Sequence, residues 1–343
     1  MSRCICRRRT AVLALILASI SVTSGVLFSY SLTGPQEQTS PGANIVLISW
    51  DGVQRNHFFE LLRNGALPNI AALSWEGGIV NVTVTDHVTD TKAGHSEMLT
   101  GYGPEITGVF SNRKFNPIPR GYTVFERVEY YFGKDAIATI MVTGKTHNLG
   151  GERGEPFYNA RFALDVFDSN AASAGIVGPK AIRYLNDHMG MRFFAFFHFS
   201  DPDSSGHKFG ENSREYGQAI VTCDFWLGKI VENLKERGVY ASTAILVTSD
   251  HGFDENEKSH RDAPFVFVAS NRPLRGNGNQ KDIVPTILSL IEVNPIQFKP
   301  RLPGASLAML QSHQNPSSPS ALHDLATASN ISEYMETLQR LGC

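Results

Sequence analysis

The sequence predicts an α/β domain in which a mainly parallel central sheet is sandwiched by helices. Two observations carry that reading. Apolar runs of strand length recur along the chain without the alternation of a half-exposed strand, and helix-length segments with spaced apolar residues separate them. A strand buried on both faces has no wet side to mark with polar residues, so such runs imply helical cover above and below.

In chain order the strands read as "NIVLISW" from Asn44, "GGIVNVTV" from Gly77, "AIATIMV" from Ala136, "FFAFFHF" from Phe193, "TAILVTS" from Thr243 and "PFVFVAS" from Pro264. Between and after them, "NHFFELLRNG", "GPKAIRYLNDH", "SREYGQAIVTCDFWLGKIVENLKERG" and "KDIVPTILSLIEV" read as helices. Residues 110–165 hold fewer long apolar periods, with "RKFNPIPRG" and "GKTHNLGGERGEP", and read as a small cap over the strand ends. The folded domain is expected over residues 44–300. A tail over 301–343 follows, in which Ile331, Tyr334, Met335, Leu338 and Leu341 recur at the spacing of a helix.

Ahead of the domain, "MSRCICRRR" is basic and Thr10 to Tyr30 carries no charge. At ~1.5 Å per residue that stretch spans about 30 Å, the thickness of a bilayer core. Residues 1–30 therefore read as an export signal or a single membrane anchor that leaves the rest of the chain outside the cytoplasm. Residues 31–43, "SLTGPQEQTSPGA", read as a linker.

Acidic residues (33) and basic residues (31) nearly balance, so the total charge points to no nucleic-acid duplex binder. An anionic substrate would have to be drawn by a local site. The 4 cysteines, two of them in the first six residues, make no disulfide framework and no metal knuckle.

Such a local site is visible at the strand ends, where open α/β sheets bind ligands. The first strand runs into Asp51, the fifth into Asp250 and His251, and the fourth leads to Asp203 and His207 in "DPDSSGHKFG". A parallel sheet brings these ends to one edge, and clustered carboxylates repel unless cations sit among them. Asp and His suit Zn²⁺ and other divalent metals. His260 in "EKSHRDAP" completes an inventory for two ions, and Thr91 opens a segment that turns helical from Gly94 to Thr100. A hydroxyl at a helix start either caps the helix or serves as a nucleophile where the dipole favours an anion.

The order of these motifs resembles the alkaline phosphatase superfamily, most closely its type I phosphodiesterase/nucleotide pyrophosphatase branch. The resemblance covers most of the chain. It implies that Asp203, His207 and His260 hold one zinc, and that Asp51, Asp250 and His251 hold the other beside Thr91, the nucleophile and itself a metal contact. It places Asn112, at the end of "GYGPEITGVFSN", as the amide donor to a non-bridging phosphate oxygen. The implied activity is two-metal hydrolysis of a small anionic phosphoester, foremost a phosphodiester, through a phosphothreonine intermediate. Thr91 argues against the sulfatase branch, whose nucleophile derives from cysteine or serine.

Two lysines set this chain apart. In the resembled branch an aromatic usually follows the nucleophile, whereas here stands Lys92, read as a solvated lysine or as a contact to an acidic group of the substrate. Lys145 in "IATIMVTGKTHN" matches one of two lysines that hold a substrate carboxylate in phosphonoacetate hydrolases, with His147 at the second position. Carbon–phosphorus cleavage, phosphomonoester hydrolysis, and a non-catalytic membrane-tethered binding protein of the same fold are therefore the alternative readings. His95 and His198 are expected as structural histidines, and Asp201 as a solvated neighbour of Asp203.

Overall fold

The computed structural model describes residues 44–170 and 173–309. The basic-apolar segment 1–30, the linker 31–43 and the helix expected near the C terminus lie outside these residues. Among the described residues no helix is long and apolar enough to cross a membrane.

Eight strands form one sheet: β1 (Asn44–Trp50), β2 (Gly78–Thr83), β3 (Ile137–Thr143), β4 (Val166–Asp168), β5 (Arg192–Phe199), β6 (Thr243–Thr248), β7 (Phe265–Ser270) and β8 (Gly278–Asn279). Their order is β4-β3-β5-β1-β6-β7-β2-β8. Only β7 runs against the others, pairing antiparallel with both β6 and β2. The sheet is thus mainly parallel, as the non-alternating runs predict. The six strands read from the sequence are all present; β4 and β8 are too short to give a pattern.

Burial on both faces shows in the residues themselves. Ile45 and Leu47 of β1 join one core cluster, while Val46, Ile48 and Trp50 join the other. The first cluster packs against helices α3 (Thr91–Thr100), α5 (Val124–Phe132) and α10 (Ile283–Leu290). The second packs against α1 (Arg55–Arg63), α2 (Pro68–Glu76), α7 (Ala174–His188) and α9 (Arg214–Glu236). Long apolar side chains such as Phe194 and Phe197 each contribute roughly 1.5–3 kcal/mol on burial. The packing continues past residue 300, since Leu302, Leu307 and Ala308 lie in the first cluster.

Residues 110–165 contribute β3, next to the edge strand β4, and α5 to the cover of the sheet, so they are not only a cap over the strand ends. Three short helices complete what matters for the site: α4 (Pro104–Thr107), α6 (Thr146–Leu149), directly after β3, and α8 (Asp201–Phe209), directly after β5. The parallel register places Ser49 beside His198 and Thr248, and His198 beside Thr143, so β3, β5, β1 and β6 all end at one edge.

Candidate active site

At that edge the backbones brace one another before any side chain is considered. Asp51 N–H donates to the Phe199 carbonyl at 3.0 Å, and Asp203 N–H donates to the Asp51 carbonyl at 3.0 Å. Gly52 turns between them with φ +68°, and a Cβ there would lie 2.9 Å from Asp203 Cβ, so the position demands glycine. From the β6 side, Asp250 Oδ1 accepts from Gly52 N–H at 3.1 Å, and Ser249 Oγ accepts from Val53 N–H at 3.0 Å.

The stretch "DPDSSGHKFG", which is not among the helices read from the sequence, forms helix α8 as far as Phe209, with a proline in its first turn. Asp203 and His207 are therefore one helical turn apart on one face, with His207 Nε2 3.3 Å from Asp203 Oδ1. Asp201 is half-buried and bonded to the protein rather than a purely solvated neighbour. Its Oδ2 accepts from Ala174 N–H at 2.6 Å, at the start of α7, and burial pushes its carboxyl pKa up.

Three histidines share one tautomer. Nδ1–H donates to a carbonyl in each: His207 to Lys258 at 2.8 Å, His260 to Thr89 at 2.5 Å and His251 to Gly252 at 2.9 Å. A carbonyl can only accept, so a ring in its neutral form carries its proton on Nδ1 and presents a bare Nε2 lone pair, the form in which a histidine ligates a metal. Those lone pairs face oxygens. Nε2 of His260 lies 3.5 Å from Asp203 Oδ1. Nε2 of His251 lies 3.6 Å from Asp51 Oδ1 and 3.3 Å from Asp250 Oδ2.

Among the described residues, these three oxygens, Asp51 Oδ1, Asp203 Oδ1 and Asp250 Oδ2, are buried without a hydrogen-bond partner. Lone pair against lone pair is repulsive, and buried acceptors left bare are costly. A divalent cation relieves both, and the residues fit one. In each of two groups, Asp203 with His207 and His260, and Asp51 with Asp203 and His251, one ligand atom per residue lies within 4.8 Å of the others. Asp203 belongs to both.

Thr91 stands at the first position of α3, fully buried, with Oγ1 3.5 Å from His251 Nε2. The cap position before it is Asp90, whose side chain makes no cap bond to the helix and accepts from Asn112 N–H at 2.8 Å instead. Asn112 lies beside it. The Asn112 Oδ1 accepts from Lys92 N–H at 2.9 Å and from Asn148 Nδ2 at 3.3 Å, which turns its Nδ2 donor to the other side. Lys92, read as solvated or as a contact to an acidic group of the substrate, is buried: its Nζ bonds Glu155 Oε2 at 2.5 Å and sits 3.5 Å from the Phe115 ring centre. Its charge is balanced inside the protein.

Lys145 follows β3 and places Nζ 2.8 Å from Asp51 Oδ2 and 2.5 Å from Asp203 Oδ2. Burial disfavours the charged amine, but Asp51, Asp203 and Asp250 together hold its pKa above the ordinary lysine value. Burial likewise opposes ionisation of Asp203, and Lys145, joined by His207 when that ring is protonated, holds the carboxyl well below its usual range. Asp250 is held low against its own burial by the charge of His251 and His95 when those rings are protonated. His147 is exposed on α6.

The histidines expected to be structural are buried and bonded, and their partners are the site residues. His198 Nδ1 accepts from Gly144 N–H at 3.1 Å, so its Nε2–H donates to Asp51 Oδ2 at 2.8 Å, the opposite tautomer to the three above. His95 Nδ1–H donates to the Thr91 carbonyl at 2.8 Å and lies 3.3 Å from Asp250 Oδ2. Gln280, absent from the sequence reading, donates from Nε2 to the Asp250 carbonyl at 2.8 Å. The four-residue spacing from Thr91 is the signal that could have tied His95 to the site; nothing local marks Gln280.

The description "Type I phosphodiesterase / nucleotide pyrophosphatase" matches residues 45–272. The chain belongs to that family. Human bis(5'-adenosyl)-triphosphatase ENPP4 is 22% identical over 240 residues, 67% of this chain and 52% of its own length. The chain thus spans about half the length of the curated relatives it matches. Among solved structures, a putative sulfatase from Bacteroides thetaiotaomicron superposes with a TM-score of 0.61 at 13% identity, covering 78% of this chain and 74% of that one. Alkaline phosphatase from the Antarctic bacterium TAB5 superposes with a TM-score of 0.52 at 15% identity, covering 74% of this chain and 99% of that one. These structures share the fold, and the phosphodiesterase family match is the more specific of the two likenesses.

Proposed function

We propose that the protein is a two-metal phosphodiester hydrolase in which Thr91 is the nucleophile. The single observation that supports it best is the convergence of three bare Nε2 lone pairs, on His207, His260 and His251, upon three unpartnered buried carboxylate oxygens. In this reading Asp203, His207 and His260 hold one cation, and Asp51, Asp250 and His251 hold the other with Thr91. Zn²⁺ suits the mixed nitrogen and oxygen donors. Two such ions supply Lewis acidity for the attacking and leaving oxygens of an in-line displacement.

The residues do the rest. Thr91 Oγ attacks phosphorus, the P–O bond to the leaving group breaks, and a phosphothreonine forms; water then cleaves it and restores the hydroxyl. Thr91 sits at the positive end of the α3 dipole, which favours the developing negative charge. Asn112 offers Nδ2 to a non-bridging oxygen, a neutral donor suited to the single charge of a diester. With Lys92 balanced by Glu155 and Lys145 engaged by two aspartates, the site offers a substrate carboxylate no uncommitted pair of lysines, which favours the diester over phosphonoacetate. The basic-apolar N-terminal segment supports export or anchoring with the domain outside the cytoplasm.

The test is a rate comparison on one zinc-loaded preparation with phosphodiester, phosphomonoester, phosphonate and sulfate-ester model substrates. The diester should turn over fastest, and Thr91→Ala should abolish its turnover while metal content is kept. Undiminished turnover by Thr91→Ala would remove the nucleophile assignment.

A further inference from the structure

The carboxylates of the two metal groups divide their oxygens in a regular way. Asp51 and Asp203 each leave Oδ1 bare among histidine nitrogens, while each Oδ2 is bonded to the ammonium of Lys145. We propose that Lys145 is a fixed third cation of the site, a positioning residue that clamps one carboxylate from each metal group by its outer oxygen and so aims both inner oxygens at the metals. The inference rests on the two-metal reading and adds to it a role that neither metal group supplies.

The geometry suits a clamp better than a contact to bulk solvent. An ammonium has three donors. Two meet Asp51 Oδ2 and Asp203 Oδ2, and Thr91 Oγ1 lies 3.5 Å from the same nitrogen. The lysine therefore touches both metal groups and the nucleophile at once. Its base is held as tightly. A Cβ on the preceding Gly144 would come within 2.8 Å of Ser200 Oγ and 3.1 Å of Ser200 Cβ, so the end of β3 is pressed against the end of β5 where α8 begins. Asp51 and Asp203 are 0% and 4% exposed. Two carboxylates buried side by side repel, and a lysine between them lowers that repulsion before any metal arrives. His198 makes the same kind of bond to Asp51 Oδ2 but reaches only one of the two groups.

The experiment compares wild type, Lys145→Met and Lys145→Arg, each as chelator-stripped protein and after titration with Zn²⁺, by thermal unfolding. Co²⁺ loading then gives a visible absorption spectrum that reports ligand geometry directly. Stripped Lys145→Met should melt below stripped wild type, and Zn²⁺ should raise its Tm by at least ~3 °C more than it raises that of wild type, because the metal then also relieves the unclamped carboxylates. Its Co²⁺ spectrum should shift in position or intensity. Lys145→Arg keeps the charge and should melt near wild type when stripped, yet shift the Co²⁺ spectrum, so the reading survives even where Lys145→Met does not fold. Equal Zn²⁺-induced gains together with superimposable Co²⁺ spectra would overturn the clamp. A wild type that takes up neither metal would sink the two-metal reading and the clamp together, whereas normal loading by wild type with unaltered variants sinks the clamp alone.

Discussion

His207 Nε2 lies 3.1 Å from His260 Nε2, and with the Nδ1 bonds to Lys258 and Thr89 in place neither nitrogen carries a proton when the two rings are neutral. Two lone pairs so close, with Asp203 Oδ1 3.3 and 3.5 Å away, need a cation among them. His207→Ala should cost metal affinity by more than the roughly 10- to 100-fold lost when only an outer partner of a ligand is removed. His207 is half exposed, so the fold should tolerate the change. Metal analysis after dialysis against a weak chelator checks it: wild type should keep one equivalent more than the variant.

Asp201 and Asp203 sit two residues apart and should behave oppositely. Asp201 accepts from the Ala174 N–H at the start of α7, so Asp201→Ala should cost about 0.5–2 kcal/mol, as lost helix-start acceptors do, with metal content and turnover unchanged. Asp203→Ala should lose metal. Denaturant titration beside metal analysis separates the two, and an equal loss of metal in both variants would mean that the acids were assigned wrongly.

That contrast also shows what the sequence could reveal. Asp51, Asp250 and His251 were legible because each directly follows a run of buried strand residues, and a parallel sheet leaves no choice about where such ends meet. Helix α8 was not, because Ser204, Ser205 and Gly206 are poor helix formers and the helix depends on Pro202 and on the Asp203 N–H bond to Asp51, far away in the chain. Lys92 looked solvated because its partner Glu155 lies 63 residues on. His198 looked structural because it sits in an apolar strand, and only the register beside Ser49 and Thr143 brings it to Asp51.

For that same His198, removal should act through Asp51. Its Nε2–H bond fixes the carboxylate, and outer partners of this kind are worth roughly 10- to 100-fold in metal affinity. His198→Ala should weaken Zn²⁺ binding by about that factor in competition with a chromophoric chelator, and His198→Gln, which can still donate to Asp51, should recover part of it. An affinity unchanged in His198→Ala would show that Asp51 is oriented without the histidine.

The placement of Thr91 depends on a glycine one turn along its helix. A Cβ at Gly94 would lie 2.6 Å from the Asp250 carbonyl oxygen and 3.0 Å from Asp250 Cβ, and the first of these neighbours is backbone that cannot rotate away. Helix propensity favours alanine over glycine by about 1 kcal/mol, so local preference and packing point in opposite directions. Packing should win, because the clash can be relieved only by moving α3 or the Asp250 loop, and either movement shifts Thr91 from His251. A displacement of about 1 Å can cost on the order of 10²-fold in rate. Gly94→Ala should therefore lower kcat by roughly that factor. Gly217 on α9 supplies the control, since nothing lies within 4 Å of where its Cβ would stand. Gly217→Ala should raise stability by up to about 1 kcal/mol and leave kcat alone. Turnover by Gly94→Ala at the wild-type rate would mean that the contact of α3 with Asp250 does not set the position of the nucleophile.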